Sequence, residues 1–474
     1  MNDPADPLDD WRRRIAGVGA PLYLGAGTAG PVLAAPEQAV LVLGPPRAGK
    51  TSSLVIPNVL SAPGPVVSTS TKTDVLVATW RRRCAAGRCW LFDPTGAIDP
   101  PVGVMALHWS PVQASSDWDG ALLMARSLAL AARPGGQVGE AGHWTERAEA
   151  LLAPLLHAAA LGGRDMHQVL RWVLRQDLDS GIAALGAAGA DLAADVLGGL
   201  AATDDRERSG IWSTAAGILA AYRSRAALDA AAAPNFDADA FAGSGDTVYV
   251  CSPARHQHLV APVVVALVEQ IRSAAYDRTT ANARAGWRAG PPIVLALDEV
   301  ANIAPLPDLP ALVAEGGSQG LLTLACLQDL SQARVRWGEA AEGFLSLFGA
   351  KVVLPGIGDR RTLELVSSLA GQHEVAVRSV SRRPWWAGRQ GGASVTWSTR
   401  RQPRLPVDAV AQLPAGRALL VAGAQPPCRL RLTPWFSTEP FSTEPLRTEA
   451  FATPSRVAPR PAHPDRGRGM ETGR

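Results

Sequence analysis

Residues 41–51 read LVLGPPRAGKT, and these residue types at this spacing can hold a polyphosphate. An apolar run over 39–43 leads into Gly44, four residues, then Gly49, Lys50 and Thr51, the G-x-x-x-x-G-K-[ST] pattern between a strand and a helix. A tight loop of this kind turns several backbone N–H groups toward one point, and glycine supplies the backbone freedom and close approach it needs. Gly44, Pro45, Pro46, Arg47, Ala48, Gly49, Lys50, Thr51 and Ser52 are therefore the candidate nucleotide-binding set. Lys50 would reach the β- and γ-phosphates, the Thr51 hydroxyl would hold Mg²⁺, and a helix from about Ser52 would add its positive end. The chain has three lysines, Lys50, Lys72 and Lys351, and uses arginine elsewhere, which sets Lys50 apart as a residue arginine does not replace.

A second chemical pattern lies at residues 293–299, where the apolar run IVLAL ends in Asp298 and Glu299. A buried strand would deliver this acidic pair to the sheet edge that carries the phosphate loop. Asp298 would join the Mg²⁺ shell, and Glu299 would polarise the attacking water. A helix N-cap followed by a first-turn acid is the plainer reading of the same pair. Gln328 ends the next strand, where it would sense the γ-phosphate or simply close the strand. Asp359 is a candidate N-cap for a helix over 359–369. Arg360 or Arg361 is a candidate arginine finger toward a neighbouring subunit, and Arg361 is the preferred one.

These residues need a scaffold, and the pattern of the chain supplies one. Strands expected at 40–43, 66–70, 89–92, 247–251, 293–297, 321–327 and 350–354 alternate with helices, which means a mostly parallel α/β sheet with crossover helices. Between 115 and 240 the chain turns alanine- and leucine-rich with helical spacing, as in Ala148, Leu151, Leu152, Leu155, Leu156 and Ala159. That stretch reads as an all-α domain inserted in a nucleotide-binding domain made of 38–114 and 241–435. His143, Trp144 and Glu146 open one of its helices, where core and capping roles are the default. Residues 1–37 read as a polar arm and connector with a short strand or hairpin. Residues 436–474 read as a disordered tail, opening on the echoed segments STEPF and STEPL.

Bulk composition excludes several classes. The formal net charge is only +3, so no global basic field announces nucleic acid. Five scattered cysteines give no zinc spacing and fit a reduced compartment. No transmembrane segment is expected, because the apolar stretch over 15–35 is broken by glycine and proline. The expected location is the cytoplasm, with attachment at the inner face of the plasma membrane through a partner.

Several passages together resemble the type IV secretion coupling proteins, the TraG/TraD-like conjugative DNA-transfer ATPases. They are GPPRAGKT at 44–51, STSTK at 68–72, FDPTG at 92–96, ERSGIWST at 207–214, LDEVAN at 297–302, EGGSQG at 315–320 and Gln328. The resemblance spans about 38–435. It implies a RecA-like P-loop ATPase with ATP and Mg²⁺ as cofactors, interrupted by an all-α domain. It further implies a homo-oligomer, a hexameric ring, that couples hydrolysis to passage of single-stranded DNA with a bound relaxase-type protein. The destination would be the channel components at the membrane. Familiar members carry N-terminal membrane helices, which this chain does not show. A ring pore that binds phosphates through arginine and stacks bases on aromatics has candidates in Arg378, Arg382, Arg383, Trp385, Trp386, Arg389 and Trp397. Two other readings stay open at this point: a motor for protein substrates, and an ATP-binding recruitment adaptor with little turnover.

Overall fold

The computed structural model describes residues 6–132, 140–287, 290–381 and 394–442. Its strands are β1 (Tyr23–Ala26), β2 (Pro31–Leu33), β3 (Val40–Leu43), β4 (Val66–Ser70), β5 (Cys89–Phe92), β6 (Val104–Ala106) and β7 (Thr247–Cys251). They continue with β8 (Ile293–Leu297), β9 (Leu321–Leu327), β10 (Ala350–Val353), β11 (Gln372–Ser381), β12 (Ser394–Pro403), β13 (Arg417–Ala422) and β14 (Cys428–Arg431). Among the described residues, twelve of them form one sheet in the order β2-β1-β14-β13-β10-β3-β9-β8-β4-β7-β5-β6. From β10 to β6 every neighbouring pair is parallel, and the four strands beyond β10 are antiparallel.

The central strands are buried along their full length because helices cover both faces, which is why they read as unbroken apolar runs. Alternation still sorts their side chains. Leu41 and Leu43 of β3 enter the core shared with the helical insertion, while Val40 and Val42 enter the core on the opposite face. The insertion lies between β6 and β7. Helices Trp118–Ala132, Glu140–Leu161 and Asp205–Ile218 pack on one another, and Gln257–Arg284 packs on the first of them. That last helix runs on to Arg284. The span Ala254–Arg284 is also the one described helix long and apolar enough to cross a membrane, and 72% of its apolar window is buried inside the fold.

Both ends of the chain depart from expectation. Residues 7–17 form a helix, not a polar arm. Asp6 accepts the Leu8 N–H, Pro7 fills the first position, and Leu8, Trp11 and Ile15 are buried. At the other end, the segment expected to be disordered from 436 is ordered to 442. Phe441 is 1% exposed, with its ring edge-on to Trp11 and Tyr23. Burial of one aromatic ring is enough to tie down so short a segment. The remainder of the tail, 443–474, lies outside the described residues.

Candidate nucleotide site

The parallel strands β10, β3, β9 and β8 are neighbours, so their C-terminal ends share one edge of the sheet. The loop after β3 is built there. Gly44 sits so close to Leu354 that an added Cβ would lie 2.8 Å from the Leu354 Cβ. Gly49 has φ +97°, a conformation other residues resist, and Arg47 holds φ 65°. Lys50 is 8% exposed and turns its ammonium back on the loop, donating to the Gly44 carbonyl at 2.5 Å and the Pro45 carbonyl at 3.0 Å. The chain then enters a π-helical turn, Thr51–Val55, before the α-helix Ile56–Ser61. Within that turn the Ser53 N–H donates to the Gly49 carbonyl.

The acidic strand end meets this loop directly. The Thr51 hydroxyl donates to Asp298 Oδ2 at 2.6 Å. Asp298 is fixed from its other side by β4: its N–H donates to the Thr69 carbonyl, and the Thr69 hydroxyl donates to the Asp298 carbonyl at 3.3 Å. Burial raises the Asp298 carboxyl above its ordinary range, the Thr51 hydrogen bond and nearby Lys50 oppose that, and Glu299 adds to it. Glu299 is half-buried and holds left-handed backbone, φ 54° and ψ 47°, just before the short helix Val300–Ile303. A non-glycine residue there is strained, and such strain collects where side-chain aim matters.

The family model described as type IV secretory system conjugative DNA transfer matches residues 9–457. The chain belongs to this conjugative DNA-transfer family. No curated protein sequence matches it. Among solved structures, the unbound form of the bacterial conjugative coupling protein TrwBΔN70 superposes with a TM-score of 0.63 at 20% identity, covering 90% of this chain and 91% of that one. The plasmid coupling protein TrwB solved with ADP and Mg²⁺, and with the ATP analogue ADPNP, each superpose at a TM-score of 0.60 and 20% identity, covering 84% of this chain and 86% of theirs. At that identity the likeness shows the fold alone, an α/β protein built on a large, mostly parallel sheet.

Other sites singled out in this family member fall into two groups. Gln328 directly follows Leu327, which pairs with Leu43, so it stands level with Gly44 between the loop and Asp298. Its N–H is held by Gln332 Oε1 at 2.9 Å. Arg361 stands apart, on the helix Arg360–Leu369 capped by Asp359, donating to Glu342 at 2.7 Å with its side chain 58% exposed. It lines an open cleft of about 630 Å³ with Arg334, Gly338, Glu339 and Glu342. The loop before that helix does touch the phosphate loop, since a Cβ on Gly356 would lie 3.3 Å from Pro45 Cγ.

The remaining family-like passages are packing devices. In ERSGIWST, Gly210 lets the Trp144 ring lie where a Cβ would sit, at 2.5 Å, and Glu207 pairs with Arg147 at 3.0 Å. His143 stands 3.8 Å from the same Glu207, so His143 and Trp144 open a helix–helix contact while Glu146 is exposed. In FDPTG, the Asp93 carboxylate gathers the N–H groups of Thr95, Ala97 and Ile98 into one turn. In EGGSQG, Gly317 meets the backbone at Glu37, where a Cβ would lie 2.1 Å from the carbonyl oxygen.

Thr69 and Arg83 escaped the sequence reading. Thr69 lies within STSTK, so its site was marked but not its role. Arg83 is fully buried and donates to Thr247 Oγ1 and to the carbonyls of Ala62, Gly64 and Gly245. Burial lowers its pKa to about 10. It ends a run of three arginines that reads as a helix surface, and nothing in the run distinguishes it. Of the arginine/tryptophan set, Arg378 and Trp397 are described and sit opposite each other in the β11–β12 hairpin, while Arg382, Arg383, Trp385, Trp386 and Arg389 lie outside the described residues.

Proposed function

We propose that this chain is the ATP-hydrolysing coupling protein of a conjugative transfer system, moving single-stranded DNA with its bound relaxase-type protein to a type IV secretion channel. The observation that carries this is the Thr51–Asp298 contact at 2.6 Å, which joins two motifs 247 residues apart at one sheet edge. TrwB has been solved with ADP and Mg²⁺ and with a non-hydrolysable ATP analogue, which supports ATP and Mg²⁺ here.

The residues present suit those groups. Mg²⁺ prefers one or two hard oxygen donors plus substrate phosphates, and Thr51 with Asp298 offers that pair. The metal supplies charge neutralisation at the phosphates. Lys50 exchanges its two loop carbonyls for β- and γ-phosphate oxygens, a charge-assisted replacement. Glu299 orients the attacking water and accepts its proton, and Gln328 reads the γ-phosphate from the neighbouring strand end. Arg361, exposed and outside its own protomer's loop, completes the site of the next subunit in a ring, which we take as a hexamer. The working location is the cytoplasmic face of the membrane, reached through a channel partner.

Steady-state ATP hydrolysis with and without single-stranded DNA, with Lys50→Ala as the blank, tests the reading. Stimulation by DNA that the blank loses supports it. ATP binding without turnover in either condition overturns it in favour of a recruitment adaptor, and stimulation by a protein substrate alone in favour of a protein motor.

A further inference from the structure

The β11–β12 hairpin forms its own two-stranded sheet of ten paired positions, from Gln372↔Pro403 to Ser381↔Ser394. At about 3.4 Å per residue it reaches some 30 Å from its root. Among the described residues no core holds the strands on either face.

 Only Val375 and Val377 are half-buried, and the other positions in those two spans, Ala376 and Arg378 among them, are exposed. A lone two-stranded hairpin is marginal in water, so this one is kept for what it contacts.

Its chemistry names the contact. Arg378, Arg400, Arg401 and Arg404 stand against the single carboxylate Glu374, a surplus equal to the whole chain's formal +3. Trp397 is 66% exposed and lies directly across from Arg378, so a guanidinium and an indole share one face. Arg401 follows on the same face, loosely paired to Glu374 at 3.5 Å with both side chains exposed. Exposed arginines attract backbone phosphates, and an exposed aromatic ring stacks on unpaired bases.

We propose that the β11–β12 hairpin is a single-stranded DNA-binding arm, with Arg378 and Arg401 on the phosphates and Trp397, on the same face, stacked on a base. This rests on the DNA-motor reading and assigns it a contact surface outside the nucleotide site. Charge decides between occupants. An acidic polymer matches this cationic face, and unpaired bases match the bare indole.

The test is equilibrium binding of a labelled oligothymidine to the full chain across a salt series. The variants are the double Arg378→Ala, Arg401→Ala, its all-lysine counterpart, Trp397→Ala and Trp397→Phe. DNA-free ATP hydrolysis and oligomeric state serve as controls. The double alanine variant is expected to bind at least tenfold more weakly, with the log–log salt slope shallower by about one. The lysine variant should retain most binding. Trp397→Ala should lose about fivefold or more and Trp397→Phe much less. Unchanged binding in the alanine variants, with DNA-stimulated hydrolysis intact, overturns the arm and leaves the motor reading standing. If the wild-type chain neither binds the oligonucleotide nor responds to it, both fall. Loss of assembly without loss of DNA binding makes the hairpin a subunit contact instead and overturns the arm.

Discussion

Thr51 and Asp298 share a 2.6 Å hydrogen bond although 247 residues separate them, and that bond ties the phosphate loop to the acidic strand end. Asp298 is held there against its own solvation. Asp298→Asn keeps the shape and an acceptor for Thr51, so it should bind nucleotide yet lose hydrolysis by about 100-fold or more. Turnover at saturating Mg²⁺ measures this, and a near-normal rate would remove Asp298 from the metal role.

The same carboxyl has a stability consequence. Its folded pKa lies above the ordinary 3.8 through burial. The folded state therefore holds its proton longer than the unfolded chain does. Below the unfolded value there is no penalty. As pH rises through the raised folded value the ionised group destabilises the fold. Asp298→Asn should thus raise the thermal midpoint of the nucleotide-free protein at neutral pH, and the gain should vanish in acid below the unfolded carboxyl range. Melting curves across pH decide it.

Glu299 offers a parallel trade of stability against activity. Its backbone sits at φ 54°, where glycine is free of strain. Glu299→Gly should stabilise the chain by about 1 kcal/mol and abolish hydrolysis. Glu299→Gln should keep the stability of the native chain and trap bound ATP. A glutamine variant that turns over at the native rate would end the water-positioning role.

The sheet was legible because parallel strands buried on both faces leave unbroken apolar runs, and β3, β4, β5, β7, β8 and β9 stand where those runs stand. The loop and acidic pair were legible because their chemistry tolerates few residue types. Weak signals explain what was missed. Leu8, Trp11 and Ile15 have helical spacing behind Asp6-Pro7, but charged neighbours gave the segment a polar composition. Phe441 is a single ring in a proline-rich stretch, with nothing local to say that Trp11 and Tyr23 await it. The scarcity of lysine marked Lys50, yet it marked Lys351 equally. That ammonium is buried and caps the Leu345 and Phe348 carbonyls at 3.0 Å each, a structural duty.

Arg83 carries a prediction that composition hides. Its guanidinium joins the turn before β4 to the turn before β7 through Ala62, Gly64 and Gly245. Removing it strands three buried acceptors. Arg83→Ala should cost about 3–5 kcal/mol, and Arg83→Lys, which cannot span the same fork, should cost part of that. Thermal midpoints report both, and a shift of the alanine variant within experimental scatter would show the clasp to be dispensable.

Arg361 tests the ring itself. Its partner Glu342 is exposed, so the ion pair adds little stability and Arg361→Ala should melt with the native chain. If the guanidinium serves the neighbouring subunit, the variant should bind ATP normally and hydrolyse it about 10³-fold more slowly. Mixing decides where it acts. Arg361→Ala subunits keep an intact Glu299, and Glu299→Gln subunits keep an intact Arg361, so each supplies what the other lacks only across an interface. Mixed assemblies should recover a fraction of native turnover that neither variant shows alone. Recovery absent at every mixing ratio, with assembly verified, would place Arg361 outside the reaction and leave its pairing with Glu342 as a surface contact.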